Sequence, residues 1–302
     1  MRDTWKPLAL LAVATALLAM PVRQARAQEA ASPATAVVPP AAPGYTLPST
    51  HTWDMTSDAG RDYRIFVSFP ATEAPKDGFP VLYVLDGNAS FAAFAETRRV
   101  QEYQDVGKAI VVGVGYRTDM PYSEQRNVDF IVMDDPPPGT RLGRTPGKKS
   151  GRDEFLDFLT GPLRAEIARR YRTNPRRQVL FGHSFGGLLA LHALYTRPQA
   201  FAAIVAASPS LGLDDGVLRD ERAFAERIRS GKLGKTSHLM VVVGGRDSDD
   251  DPYMAEAFVR RMDPLSAYGL RTRFRRYDEE SHMSVPARAV TDTLRFVAES
   301  YF

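Results

Sequence analysis

A glycine-rich turn between a strand-like and a helix-like segment is the feature that most constrains the fold. Residues 178–181 read QVLF, residues 182–187 read GHSFGG, and the helix-forming run LLALHAL follows. Because glycine has no Cβ, the glycines of this turn allow a strand and a helix to approach closely around Ser184. The start of a helix at this point also favours negative charge beside the turn.

Apolar segments of two kinds alternate along the chain. Short runs rich in Val, Ile and Leu predict strands at residues 64–69, 81–85, 109–114, 178–181, 201–206, 239–243 and 272–277. Helical spacing predicts helices at residues 155–171, 188–195, 254–268 and 287–300. This alternation predicts an α/β fold with a mostly parallel, doubly wound sheet and helices on both faces. In such folds ligands bind beyond the carboxyl ends of the strands.

The amino-terminal residues are typical of a secretory signal peptide. Arg2 and Lys6 precede an apolar run over residues 8–20, and a polar stretch then ends in Ala25-Arg26-Ala27. This order predicts a signal peptide over residues 1–27, cleavage after Ala27, and a periplasmic or secreted protein. The alternative is an uncleaved segment that anchors the protein in a membrane.

The remaining chain suits a flexible tether and one large domain. Residues 28–48 are rich in Ala and Pro and predict a tether, and residues 49–302 predict a single domain. The net charge of +3 lies within residues 1–27, so the domain is formally neutral and nucleic-acid binding is not expected. The chain contains no cysteine, which excludes disulfides, thiolate zinc sites and cysteine nucleophiles.

The glycine-rich turn also predicts a nucleophile. Ser184 is the serine of a G-x-S-x-G pattern in the strand-turn-helix setting that presents a hydroxyl to substrate. Among the histidines, His282 follows the last predicted strand and therefore lies on the same sheet edge, so we expect it to be the base. The other histidines lie before the first strand, within the turn, inside a helix or at the start of a strand.

A carboxylate is expected to orient the base. Asp247 is the first carboxylate after the strand at residues 239–243 and is our choice, although a later carboxylate of the loop or Glu256 could serve. The order Ser184, Asp247, His282 is that of the α/β-hydrolase scaffold. A glycine-rich turn without chemistry and a solvated acidic loop are the structural alternatives.

Backbone amides are expected to bind the oxyanion. The amide of Phe185, next after the nucleophile, should supply one donor. The loop after the strand at residues 81–85 reads Asp86-Gly87-Asn88, so the amide of Gly87 or of Asn88 should supply the second. Asp86 is expected to brace this loop.

Four motifs in this order resemble a known family. They read YVLDGN at residues 83–88, LFGHSFGG at 180–187, ASPS at 207–210 and SHMSVP at 281–286. The chain resembles esterase-D-type esterases of the α/β-hydrolase superfamily and, within them, periplasmic enterobactin and salmochelin (siderophore) esterases. The resemblance implies a serine esterase that cuts the trilactone backbone of a catecholate siderophore, with Ser184 and His282 as the catalytic pair. Some members are described as a Ser-His dyad, which would make Asp247 dispensable.

The resemblance extends to a binding region, but the sequence departs from the family pattern at two places. Arg126 and Asp129 match an arginine-aspartate pair near the family's substrate region, and a salt bridge that fixes the loop is the alternative. Residues 211–213 (LGL) stand where siderophore esterases carry aromatic bulk, and the Pro-rich insertion at 134–150 lacks their glycine-rich lead into the next helix. The connection at residues 117–150 is long and predicts a lid, whose basic residues form either a substrate-attracting rim or a solvated surface.

Three functions remain open from the sequence. The first is a serine esterase acting through an acyl-enzyme on a siderophore lactone. The second is an exported carboxylesterase for acyl or feruloyl esters of carbohydrate, and the third is a non-catalytic binding protein with the same fold. The expected partner is a small-molecule ester, such as a ferric siderophore. No cofactor and no bound metal are expected, and no stable membrane insertion if the signal peptide is cleaved.

Overall fold

A mixed eight-stranded sheet forms the centre of the protein. The computed structural model describes residues 45–132, 149–213, 215–233, 238–249 and 252–299. The strands are β1 (Thr50–Thr56), β2 (Asp62–Ser68), β3 (Phe79–Leu85), β4 (Ile110–Gly115), β5 (Thr173–His183), β6 (Ala203–Ala207), β7 (His238–Gly244) and β8 (Thr272–Tyr277). Their order in the sheet is β1-β2-β4-β3-β5-β6-β7-β8. All neighbours from β4 to β8 are parallel, whereas β2 is antiparallel to both β1 and β4.

Helices cover both faces of the sheet. They are α1 (Gly87–Val100), α2 (Gln125–Phe130), α3 (Gly151–Phe158), α4 (Arg164–Arg170), α5 (Phe185–Thr196), α6 (Asp215–Arg229), α7 (Pro252–Met262) and α8 (Val285–Ala298). The apolar residues of α1 and α8 pack on one face, and those of α2 to α7 pack on the other. The predicted doubly wound α/β fold is therefore confirmed.

The central strands are apolar throughout because both of their faces are covered. Every residue of β3 and of β7 is buried. In β3, Tyr83 and Leu85 join the core on the side of α5, whereas Leu82 and Val84 join the core on the side of α1 and α8. Successive side chains of a strand point to opposite faces, so a strand between two helical layers needs a continuous apolar run.

Several predicted elements have different bounds or neighbours. The first predicted strand corresponds to β2, which pairs antiparallel rather than parallel with β4. The edge strand β1 precedes it and contains His51, which was expected to lie before the sheet. The predicted helix at 155–171 is divided by a π-helical turn over Leu159–Leu163, because Pro162 has no N–H to donate.

The neighbouring parallel strands β3 and β5 lie at the topological switch point of the sheet. From β3 the chain moves to β4 on one side, and from β5 it moves through β6, β7 and β8 on the other. A ligand crevice is expected at such a point. Residues from Thr46 onward cluster as one compact unit. The predicted signal peptide, most of the tether and residues 133–148 of the predicted lid lie outside the described residues.

Within the described ranges, no helix combines the length and the apolar character needed to cross a bilayer.

Candidate active site

Ser184 occupies a strained turn between β5 and α5. Its backbone has φ 58° and ψ −119°, a conformation that costs a non-glycine residue about 1–3 kcal/mol. The turn depends on two glycines. A Cβ on Gly182 would lie 2.0 Å from the carbonyl oxygen of Gly186, and one on Gly187 would lie 3.0 Å from Cα of Pro209. The sequence therefore places glycine where strand and helix come closest and leaves the strain on the serine.

His282 lies between β8 and α8 and is held from two sides. Its Nδ1 is 3.1 and 3.2 Å from the two carboxylate oxygens of Asp247, whose side chain is fully buried. Its backbone carbonyl accepts a 2.9 Å hydrogen bond from Nε2 of His183, the residue before Ser184. The structure therefore brings the predicted base to the same end of the sheet as the predicted nucleophile and places the predicted acid beside it.

His183 donates this hydrogen bond as a neutral ring. Burial lowers the pKa of His183 to about 4, and its ring lies 4.6 Å from the ring of His282, centroid to centroid. A neutral imidazole carries one N–H, which here points from Nε2 to the His282 carbonyl. His183 was not among the predicted site residues.

The loops that carry Asp247 and His282 are joined through their backbones. The amide of Gly245 donates to the carbonyl of Tyr277 (2.8 Å), and the amide of Arg246 donates to that of Glu280 (3.0 Å). A Cβ on Gly244 would lie 2.3 Å from the carbonyl oxygen of Glu280. The glycines before Asp247 therefore allow its loop to pack directly on the histidine loop.

The three predicted oxyanion donors lie at the starts of two helices. Gly87 and Asn88 are the first residues of α1, which follows β3, and Phe185 is the first residue of α5, which follows the neighbouring strand β5. The first amides of a helix have no intrahelical acceptor and are positive ends of its dipole. The arrangement can therefore bind negative charge between β3 and β5.

The side chain of Asn88 fixes the loop that precedes α1. Its Nδ2 donates to the carbonyls of Tyr116 (3.1 Å) and Thr118 (2.8 Å), and its Oδ1 accepts from the amide of Tyr116 (2.8 Å). The Asn88 side chain is thus bound to the loop after β4. Its backbone amide is not used by these contacts and stays a candidate oxyanion donor.

Arg126 and Asp129 are each paired with a different residue. Both lie in α2, but Arg126 binds Asp86 through two contacts of 2.8 and 3.0 Å, and Asp129 is 2.9 Å from Arg61. The guanidinium of Arg126 also lies 4.9 Å from the ring centroid of Phe185. Burial raises the pKa of Asp86, and the hydrogen bonds from Arg126 oppose that effect. Asp86 therefore braces the loop, as predicted, with Arg126 as its partner.

Ser210 is a further residue at the site that the predicted set did not include. Its Oγ lies 3.3 Å from Oγ of Ser184. It belongs to a turn that begins at Ser208, immediately after β6, with φ 37°. Asp86 and Ser184 likewise have positive φ directly after β3 and β5, so three neighbouring strands end in strained residues. Only the strain at Ser184 has a signal in the sequence, the G-x-S-x-G pattern, whereas no residue pattern indicates the positive φ of Asp86 or Ser208.

Two other polar clusters among the described residues do not include Ser184. His192 is buried between Asp153 and Asp220, with ring nitrogens 2.9 and 3.3 Å from their carboxylates. Lys149, at the end of the predicted lid, pairs with Asp157 at 2.7 Å, whereas Arg141, Arg144 and Lys148 lie outside the described residues. In the part of the chain that the structure describes, no three His, Asp or Glu side chains are grouped to hold a metal ion.

Comparison with known families identifies the protein's class. A protein-family model described as "Putative esterase" matches residues 56–280. The chain belongs to this esterase family. The esterase is 33% identical to the "Ferri-bacillibactin esterase BesA" of Bacillus subtilis over 266 residues, which cover 83% of the chain and 90% of that relative.

Solved structures agree with this membership. The esterase resembles the BES protein of Bacillus cereus with a TM-score of 0.73 and 30% identity, covering 85% of this chain and 98% of that one. It resembles the siderophore hydrolase EstB of Aspergillus nidulans with a TM-score of 0.66 and 29% identity, covering 87% and 99%. The resemblance inferred from the four motifs is therefore confirmed. The esterase is a carboxylic ester hydrolase, which sets aside the alternative of a non-catalytic binding protein.

Proposed function

We propose that the esterase hydrolyses the lactone backbone of a catecholate siderophore through an acyl-enzyme on Ser184. The observation that supports this chemistry is the pair of contacts that fix His282. Asp247 contacts its ring Nδ1, and His183 donates to its backbone carbonyl. An imidazole whose Nδ1 donates to a carboxylate has its lone pair on Nε2 and can accept the serine proton there. The names of the relatives, a ferri-bacillibactin esterase and a siderophore hydrolase, support the substrate class.

The proposed reaction follows from these positions. Ser184 Oγ bonds to the ester carbonyl carbon while its proton passes to Nε2 of His282. The carbonyl electron pair moves to the oxygen, which the amides of Phe185 and of Gly87 or Asn88 stabilise. The ester C–O bond then breaks and His282 returns the proton to the leaving oxygen. Water repeats the two steps on the acyl-enzyme and releases the acid.

One observation favours the second candidate, an esterase for acyl or feruloyl esters of carbohydrate. The turn after Ser210 continues as Leu211-Gly212-Leu213, and a Cβ on Gly212 would lie 3.9 Å from Cε of Met254. Leu213 and Met254 are both exposed. The amide of Leu213 donates to the carbonyl of Ser210, so Leu213 belongs to the turn that carries Ser210. Aliphatic rather than aromatic residues in this turn suit the acyl chain of a simple ester better than a catechol ring.

Two variants and two substrates test the proposal. We expect Ser184→Ala and His282→Ala each to lower turnover of ferric enterobactin and of a short p-nitrophenyl ester on the order of a thousandfold, because the two residues act as a unit. Ser230→Ala and His51→Ala are matched controls in exposed positions and should retain wild-type rates. Near wild-type turnover by Ser184→Ala would reject the nucleophile. A p-nitrophenyl ester turned over with no hydrolysis of ferric enterobactin would favour the second candidate.

We also propose that the protein is exported. The support is the order of Arg2 and Lys6, the apolar run over residues 8–20 and the Ala25-Arg26-Ala27 site. Expression of the full chain in a Gram-negative host should yield periplasmic protein whose intact mass corresponds to a start at Gln28. Protein that stays in the membrane fraction with the mass of the whole chain would show an uncleaved anchor instead.

A further inference from the structure

We infer that Ser210 is a positioning residue for the nucleophile, donating a hydrogen bond from its hydroxyl to Ser184 Oγ. The inference rests on the proposal that Ser184 is the nucleophile. The two oxygens are 3.3 Å apart although the residues are 26 positions apart in sequence and follow different strands. The contact depends on tertiary structure, so it is maintained only if the turn that carries Ser210 is held in place.

The turn that carries Ser210 is fixed on both sides. Ser208 is fully buried, and its amide donates to the carbonyl of Val242 in β7 (2.8 Å). Pro209 packs against the nucleophile helix so closely that a Cβ on Gly187 would lie 3.0 Å from its Cα. The amide of Leu213 donates to the carbonyl of Ser210 (3.0 Å). The Ser210 hydroxyl is therefore presented by backbone that cannot easily move.

The strain at Ser208 has no compensation in its own side chain. Its φ is 37°, and its buried Oγ has no hydrogen-bond partner among the residues that the structure describes. Strained residues persist where the surrounding structure holds them, and they cluster at active sites. The bend at Ser208 brings the Ser210 hydroxyl to within 3.3 Å of Ser184 Oγ. The same bend leaves Ser210 half-buried.

The direction of the hydrogen bond follows from the chemistry. Ser184 Oγ has one proton, which must pass to His282 when the oxygen bonds to the ester carbon. In the reactive state Ser184 is therefore an acceptor from Ser210, whose own proton stays in place throughout. This bond holds the Ser184 oxygen in one orientation while its proton passes to His282. Ser210 neither forms a bond to substrate nor exchanges a proton.

The test measures attack by Ser184 separately from substrate binding. A fluorophosphonate reacts in one step with an activated serine, and a short p-nitrophenyl ester gives kcat and KM. We expect Ser210→Ala to lower both the phosphonylation rate constant and kcat about tenfold, the effect of one lost hydrogen bond, with KM changed less than twofold. Ser210→Thr keeps the hydroxyl and should restore both rates to within threefold of wild type. Ser230→Ala, which removes an exposed hydroxyl, should leave both unchanged.

The outcomes separate this inference from the proposed function. Wild-type phosphonylation and kcat in Ser210→Ala, or an effect on KM alone, would overturn the positioning role. If Ser210→Ala does not fold, the comparison is made with Ser210→Cys, a weaker donor of similar size, which should show the same loss. Ser184→Ala is treated in parallel, and the labelled residue is mapped by mass spectrometry. Labelling that persists in Ser184→Ala would instead reject the nucleophile itself.

Discussion

Asp129 is a buried carboxylate in helix α2, the helix that also carries Arg126. Asp129 has no exposed side-chain surface, yet its only charged neighbour within 4 Å among the described residues is Arg61, at 2.9 Å, and Gln125 donates to its other oxygen at 3.3 Å. Burial raises the pKa of Asp129 to about 6, because the protein solvates a carboxylate less well than water does. The folded protein therefore binds this proton more tightly than the unfolded chain does.

This difference gives a pH dependence with a definite sign. Because the pKa rises from 3.8 to about 6 on folding, the stabilising effect of the proton is complete below about pH 4 and is lost as the pH rises through 6. We expect the free energy of unfolding of the wild type, relative to Asp129→Asn, to fall by roughly 2–3 kcal/mol between pH 4 and pH 7. Urea unfolding of both proteins at the two pH values measures it. If the free energies of unfolding of the two proteins change equally with pH, the pKa of Asp129 is not raised on folding.

At the scale of elements, strand-end loops bring the site together. Ser184, Asp247 and His282 follow β5, β7 and β8, and the parallel direction of these strands places all three at one edge. This much could be predicted from the sequence, because strands buried on both faces appear as continuous apolar runs and the G-x-S-x-G turn marks where one of them ends. The assignment of Asp247 to His282 agrees with the 3.1 Å contact.

Other elements were not predicted, in most cases for physical reasons. The edge strand β1 pairs with one neighbour only and is mostly exposed or half-buried, so it has no apolar run. Helix α1 begins with Gly87 and Asn88, which favour a turn. Helix α6 is mostly polar, but its buried residues Phe224, Ala225 and Ile228 have helical spacing, so the sequence did indicate this helix and the prediction missed it. The family resemblance predicted Arg126 and Asp129 as a pair near the substrate, with a salt bridge that fixes the loop as the alternative. Arg126 binds instead to Asp86, 40 positions away, because packing of α2 over the strand ends determines its partner.

Across the whole molecule, Arg126 connects the two halves of the sheet. The chain progresses in opposite directions from β3 and β5, and the helices that follow these strands begin with the predicted oxyanion donors. Arg126 binds Asp86, just before α1, and lies over the ring of Phe185, the first residue of α5. One side chain therefore sets the distance between the two helix starts. The opening for the oxyanion therefore depends on that distance more than on either helix alone.

A charge-balanced pair of variants tests this role. Arg126→Met leaves Asp86 as an unpaired buried charge and should lower the free energy of unfolding by about 3–5 kcal/mol. Adding Asp86→Asn removes that charge, so we expect the double variant to recover more than half of the stability. Its kcat for a short p-nitrophenyl ester should stay roughly tenfold below that of the wild type, because nothing then sets the distance between the two helix starts. Urea unfolding and steady-state kinetics on both proteins provide the comparison. If the double variant is stable but its KM rises tenfold or more while kcat holds, Arg126 contacts the substrate directly, and the brace is not its main function.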